Sequence, residues 1–254
     1  MTQRKTIVLT AGGTREPIDD VRFVSNVASG ALPAAIADVL LQLGHDVHYI
    51  HGPGAIRPGH AVLDLDLTTT PPEAVEAQTR AWLADAIERR ARLARGALTL
   101  RPIRTAHEVA TTLREVCTTL QPEAVACAMA VADFAPVATA GKLSSRQTTL
   151  TLEMAATAKA IDGVKPAAPK TRLLGFKLLS GATESQFCEA AKRQIERANA
   201  DLVFCNDMQD LNQGRRRGLL IGHDGTIVAR LDGGSGPTAL GVLAEALVTA
   251  WLAD

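Results

Sequence analysis

Thr6-Ile7-Val8-Leu9-Thr10-Ala11-Gly12-Gly13-Thr14 decides how this chain folds, together with the loop that ends in Ser25-Asn26-Val27-Ala28-Ser29-Gly30. The apolar run at residues 6–9 reads as a buried strand. It leads into paired glycines and a long polar loop. A helical pattern (Leu32, Ile36, Val39, Leu40) resumes only near residue 31. Backbone N–H groups in such a loop, facing a helix N-terminus, form a natural anion site. The stretch therefore predicts a phosphate-bearing ligand at the end of the first strand.

A dinucleotide-binding fingerprint fits these residues poorly. It needs G-x-G-x-x-G with the helix starting inside it, and an acidic residue after the second strand. The third glycine is absent, and His51-Gly52-Pro53 follows the second strand, Val47-His48-Tyr49-Ile50. A bare tight turn accounts for Gly12 and Gly13 but not for the rest of the loop.

The 254 residues suit one large α/β domain. Apolar residues are 46% and aromatics 3%, so the core must be built from Ala, Val, Leu and Ile. Lys plus Arg equals Asp plus Glu, at 27 each, which argues against a nucleic-acid face or a polybasic membrane patch. No apolar run reaches the roughly 20 residues that a membrane helix needs, and no secretory signal is visible, so a cytoplasmic location is expected. Cys117, Cys127, Cys188 and Cys205 lack C-x-x-C spacing and read as reduced core residues. The histidines lack metal-ligand spacing, and His45, His48 and His51 read as structural.

Strand–helix alternation predicts a Rossmann-like, doubly wound, largely parallel sheet with helices on both faces. Strands are expected at residues 98–103, 123–129, 173–176 and 201–205, and residues 61–67 are a further strand or a connection. Helices are expected at residues 72–94, 106–120, 183–199 and 237–252, with Thr183 as an N-cap. In the first of these, Val75, Trp82, Leu83, Ile87, Ala91 and Ala94 form an apolar face. Residues 148–154 alternate like an edge strand, and His223-Asp224-Gly225 marks a hairpin between 219–221 and 227–231. Both look like additions to the sheet. The whole of 1–254 reads as a single domain, with dimerisation segments near 135–160 and 215–232.

In open α/β sheets, ligands bind beyond the carboxyl ends of the strands. Four such ends carry small or polar residues: Gly12-Gly13, Asp133, Gly175-Phe176-Lys177 and Asn206-Asp207. Lys142, in Gly141-Lys142-Leu143-Ser144-Ser145, sits on a loop from which a lysine can close over a triphosphate. Each residue alone has a plain structural explanation, and it is their coincidence at strand ends that points to a site.

Residues 10–30, T-A-G-G-T-R-E-P-I-D-D-V-R-F-V-S-N-V-A-S-G, closely resemble the opening of phosphopantothenate–cysteine ligases, also called phosphopantothenoylcysteine synthetases. A-V-A-D-F (130–134), K-L-S-S (142–145), G-F-K-L-L (175–179) and A-D-L-V-F-C-N-D (200–207) follow in that family's order and look like its stand-alone bacterial form. The resemblance runs from Lys5 to about His223 and is weak only between residues 55 and 100.

The resemblance implies amide formation in coenzyme A biosynthesis through an acyl-nucleotide, with CTP (or ATP) as co-substrate, Mg²⁺, and a homodimer. It implies Asn26 and Lys142 as catalytic residues. Gly12, Gly13, Ala130, Ala132, Asp133, Phe176, Lys177, Arg193 and Arg197 would hold the nucleotide. Thr14, Arg15, Arg22, Ser29, Gly30 and Asn206 would hold the other substrates, and Asp133 would touch the metal indirectly. Where that family has a basic residue and a glycine after S-G, this chain has Ala31-Leu32-Pro33, and Ala28 and Ala158 are further departures. Arg15 or Arg22 could supply the missing cation. A ligase of the same mechanism acting on a different acid or amine is the alternative. A non-catalytic nucleotide-binding module or an NAD(P) oxidoreductase lies further off.

Overall fold

The structure is a computed structural model that describes residues 3–60, 65, 68–144 and 148–253. Its strands are β1 (Thr6–Ala11), β2 (Arg15–Pro17), β3 (Phe23–Ser25), β4 (Asp46–His51), β5 (Ala97–Pro102), β6 (Ala124–Cys127), β7 (Phe134–Pro136), β8 (Met154–Ala156), β9 (Arg172–Leu179), β10 (Leu202–Asp207), β11 (Arg215–Gly222) and β12 (Ile227–Ser235). The helices are α1 (Ala31–Gln42), α2 (Pro72–Leu93), α3 (Ala106–Leu120), α4 (Val164–Ala167), α5 (Glu184–Ala198), α6 (Met208–Asn212) and α7 (Ala239–Leu252).

Eight strands form the main sheet in the order β12-β11-β10-β9-β6-β1-β4-β5. From β9 to β5 every pairing is parallel, and β10–β9 is parallel too. The β11–β12 hairpin joins antiparallel as the last two strands. The chain winds outward from β1 through β4 to β5, then returns to β6 and continues through β9 to β10. The turning point lies between β1 and β6, where an open α/β sheet has its ligand crevice.

Strand alternation splits the core in two. Ile7 and Leu9 join Ile36, Leu40, Phe204 and Trp251 under α1 and α7. Val8 joins Ile50, Leu113, Leu173 and Ile195 under α3 and α5. A strand buried on both faces reads as a continuous apolar run, which is what residues 6–9 display. Two helices start with full capping boxes. The Glu108 amide donates to Thr105 Oγ1 at 3.2 Å, and the Thr183 amide to Gln186 Oε1 at 2.9 Å.

Several expectations are corrected here. Helix α2 forms, but none of its residues is buried, and Leu83 and Ile87 are more than half exposed. Leu93 packs against the core from its last turn, and Arg89 pairs with the buried Asp38 of α1, which also accepts the Gly59 amide at 2.6 Å. The strand expected at 148–154 is confined to Met154–Ala156. It pairs with the short β7 in a ribbon off the main sheet, and three residues of β7 offer no partner to the earlier segment. Of the segment 61–67, all but residue 65 lies outside the described residues. The β2–β3 hairpin was not anticipated because its strands are three residues long, too short for a periodic signal. Among the described residues no helix is long and apolar enough to cross a membrane.

The strand ends meet closely. A Cβ placed on Gly52, just past β4, would stand 2.1 Å from the Gly13 carbonyl oxygen. Gly52→Ala must therefore push the glycine loop away, and overpacking of this kind costs about 1–3 kcal/mol. Urea denaturation of the variant against wild type checks it; equal midpoints would contradict the tight approach.

Candidate active site

The loop after β1 is a built cradle. Gly12 adopts φ +79°, which favours glycine. Its carbonyl accepts the Ala130 amide at 2.8 Å, and the Thr14 amide donates to the Ala130 carbonyl at 3.3 Å. These bonds tie the end of β1 to the segment after β6 across the turning point of the sheet. Thr14 is fully buried, and its hydroxyl accepts the Ala132 amide at 3.1 Å. The structure thus places Thr14 behind the cradle as a strut. Gly30, with φ +73°, caps α1, and the Ala31 amide donates to Ser29 Oγ at 3.3 Å. Pro33 offers no N–H, so the first helical bond runs from the Ala34 amide to the Gly30 carbonyl.

Asn26 is exposed at the lip of this cradle. Its Nδ2 donates to the carbonyls of Ala130 (3.4 Å) and Val131 (3.3 Å). These contacts leave the amide oxygen uncommitted. Arg15 lies 4.6 Å over the ring of Phe23 and beside Gly54. Arg22 pairs with Asp19. Burial opposes ionisation of Asp19, but the amides of Val21, Leu143 and Arg22 and the Arg22 guanidinium hold it below the usual carboxylate range.

A cleft of about 170 Å³ opens on the α3/α5 side of the turning point. Thr10, Asp133, Phe176, Lys177 and Arg197 line it, as does Lys159, which no motif had marked. Lys159 pairs with Asp133 at the mouth. Arg197 is aimed by Asp162, whose two oxygens lie 2.9 and 3.1 Å from Nε. The structure therefore brings together four of the residues expected to hold nucleotide. Arg193 is apart from them: it pairs with Glu189 one turn earlier and lines a neighbouring cleft with Lys177. Sequence spacing could not separate the two arginines, since positions four apart share one helix face.

Asn206 is also apart. It lines a cleft of about 600 Å³ between α5 and the β11–β12 hairpin. The arginines there are neutralised locally, Arg215 and Arg217 by Asp210 and Arg230 by Glu184. The smaller cleft at the turning point is thus the better candidate, because the cradle, Asn26 and the Asp133–Lys159 pair meet there. Cys127 lines it, and burial disfavours its thiolate. Burial pushes the Cys117 thiol to about 11 and Cys205 to about 12, and Cys127 higher still. Burial also lowers His45 and His48, consistent with structural roles. Among the described residues no three His, Cys, Asp or Glu side chains cluster as a metal cage.

The family model described as DNA/pantothenate metabolism flavoprotein C-terminal domain matches residues 2–88 and 74–228. The chain belongs to this family. Among its relatives is the coenzyme A biosynthesis bifunctional protein CoaBC of Thermococcus kodakarensis, 29% identical over 221 residues, covering 87% of this chain and 45% of the relative. CoaBC of Mycobacterium tuberculosis is 29% identical over 261 residues, covering 96% and 52%. The chain thus spans about half the length of these curated relatives. The fold of this flavoprotein C-terminal domain recurs in the DNA/pantothenate metabolism flavoprotein of Streptococcus pneumoniae, with TM-score 0.71, 23% identity and 96% of each chain covered. It recurs in a Cab2 mutant in complex with phosphopantothenate-cysteine, with TM-score 0.68, 21% identity, and 98% and 87% covered.

At the end of β10, Asp207 accepts the amides of Gly181 (3.0 Å), Ala182 (3.0 Å) and Gln209 (2.7 Å). The Gly181 bond leads the effects that lower its pKa. A carboxyl whose pKa is depressed by folding stabilises the fold above its unfolded pKa and loses that contribution as pH falls through the folded value. Asp207→Asn should therefore be less stable than wild type at neutral pH, with the gap closing from about pH 5 down to about pH 2. Thermal melts across that range check it, and a gap independent of pH would refute the role of the charge.

Proposed function

We propose that this chain joins the carboxylate of 4'-phosphopantothenate to the amine of cysteine, using a nucleoside triphosphate, CTP in the first instance and ATP as the alternative. One observation carries this reading: the glycine cradle, Asn26 and the cation-lined Asp133 cleft meet at the turning point of the sheet. Family membership and the printed name of the CoaBC relatives support the pathway. The phosphopantothenate-cysteine complex of a similar fold supports the substrate pair.

In the first step a substrate carboxylate oxygen attacks the α-phosphorus. The bond from that phosphorus to the β-phosphate bridging oxygen breaks, and pyrophosphate leaves. In the second step the cysteine amine attacks the acyl carbon, loses a proton, and expels the nucleoside monophosphate. Lys142 neutralises the charge that develops on the phosphates. Asn26 steadies the acyl oxygen by turning an amide N–H to it from the Ala130 or Val131 carbonyl that accepts it in the free protein. Lys159, Lys177 and Arg197 supply positive charge in the cleft, and Asp133 accepts a nucleotide hydroxyl. Ser29 and the α1 N-terminus bind the terminal phosphate of the acid. Mg²⁺ would enter with the triphosphate, held mainly by its phosphates, with Asp133 the nearby carboxylate.

Pyrophosphate release should require both the acid and CTP, and continued turnover should require cysteine. Lys142→Ala should slow release roughly 10²–10³-fold without altering the melt. Release that ignores the acid, or a variant with full activity, would overturn the reading. The substitution of Pro33 into the first turn of α1 favours one second reading, a ligase of the same mechanism acting on another acid. Equal rates with phosphopantothenate and pantothenate, or none with either, would select it.

We further propose a cytoplasmic homodimer formed through the β7–β8 ribbon. Phe134, Val137, Leu150 and Met154 expose large apolar side chains on that ribbon and its flanks, and this concentration of apolar exposure supports an interface there. Light scattering should give twice the monomer mass, and Phe134→Glu should shift it to monomer. A wild-type monomer at micromolar concentration would contradict this.

A further inference from the structure

The loop that carries Lys142 is fastened to the β2–β3 turn by one buried carboxylate. The Asp19 side chain has no exposed surface. Its Oδ1 accepts the amides of Val21 at 2.9 Å and Arg22 at 2.7 Å, which closes the turn. Its Oδ2 accepts the amide of Leu143 at 3.0 Å. Arg22 completes the arrangement. Its Nη2 stands 3.0 Å from Asp19 Oδ2 and donates to the Leu143 carbonyl at 2.6 Å. Two backbone bonds flank the junction: the Asp20 amide to the Gly141 carbonyl at 3.2 Å, and the Thr139 amide to the Ile18 carbonyl at 3.0 Å.

A turn needs only one of these oxygens, since an aspartate closes its own turn with a single acceptor. The second oxygen is committed to a residue more than a hundred positions away in sequence. Burying a carboxylate is unfavourable unless its lone pairs are answered, and here they are answered by the neighbour of Lys142 and by Arg22. Asp19 therefore grips both the amide and, through Arg22, the carbonyl of Leu143, the residue next to an exposed lysine.

We propose that Asp19 is a positioning residue that, through Leu143, fixes the loop from which Lys142 reaches the triphosphate; the consequence for catalysis rests on the ligase reading above. A misplacement of about 1 Å can cost on the order of 10²-fold in rate. Asn at position 19 keeps the shape but replaces one acceptor with a donor, which meets another N–H.

The test uses the full chain and three readouts. Hydrogen exchange of the Leu143 amide in the free protein should accelerate at least about tenfold in Asp19→Asn, while the amides of β1 keep their protection. Steady-state pyrophosphate release should lose kcat by on the order of 10²-fold with KM for the acid little changed. The double variant Asp19→Asn/Lys142→Ala should be no slower than Lys142→Ala alone, because both remove the same contribution. Unchanged exchange at Leu143 overturns the fastening itself. Multiplicative losses in the double variant overturn action through Lys142. Accelerated exchange combined with full activity of Lys142→Ala overturns the ligase role of the lysine while leaving the fastening established. Should Asp19→Asn not fold, Arg22→Lys leaves Asp19 and its turn in place, shortens the reach to the Leu143 carbonyl, and carries the exchange measurement.

Discussion

The close approach of three backbone segments at the centre of the sheet governs everything else in this protein. The end of β1, the segment after β6 and the turn after β4 converge until Gly13 bridges Ala130 and touches Gly52. Side chains are excluded there by simple volume. Gly30 would place a Cβ 3.0 Å from the Gly12 amide, so α1 too begins only where a glycine permits it. Because the backbones meet without side chains between them, their N–H and C=O groups become the lining of the crevice. A sheet that turns at this point needs such a junction to present polar groups beyond its apolar strands.

From that junction outward, the rest of the site is suspended on hydrogen bonds that cross long sequence separations. Thr10 Oγ1 accepts the Met129 amide and Thr14 Oγ1 the Ala132 amide, so one hydroxyl of β1 and one from the loop after it fix the segment leading to Asp133. Thr157 in turn donates its hydroxyl to the Ala132 carbonyl. The Asp133–Lys159 pair is therefore mounted on a frame, while both partners remain partly exposed. An exposed pair of this kind contributes little to stability. Its importance lies in where it stands.

The sequence made the sheet legible because its signals are periodic and strong. Residues 7–9, 49–50 and 202–205 are buried and apolar on both faces, and the capping residue Thr183 marks a helix start chemically. The glycine loop, Asp133 and Phe176 were legible because strand ends gather ligands whatever the details. Contacts that depend on three-dimensional arrival were not. Nothing in Lys159 distinguishes it from any surface lysine until Ala160 and Ile161 turn it toward β6 and β9. Arg193 and Arg197 share a face in sequence, yet Glu189 and Asp162 draw them to different clefts. The amphipathic pattern of α2 was misleading because the helix docks through its last turns, by Leu93 on the core and Arg89 on Asp38, and leaves the rest of its apolar stripe uncovered.

Among the described residues β5 is the last strand on its side of the sheet. Leu98 and Leu100 are partly exposed along it, the kind of edge that invites another strand. The strand ends at Pro102, which carries no N–H, and Arg101 precedes it. Extension of the ladder is therefore interrupted just where it would reach the ligand end of the sheet. A strand laid along this edge would lose its ladder partner at the ligand end of the sheet.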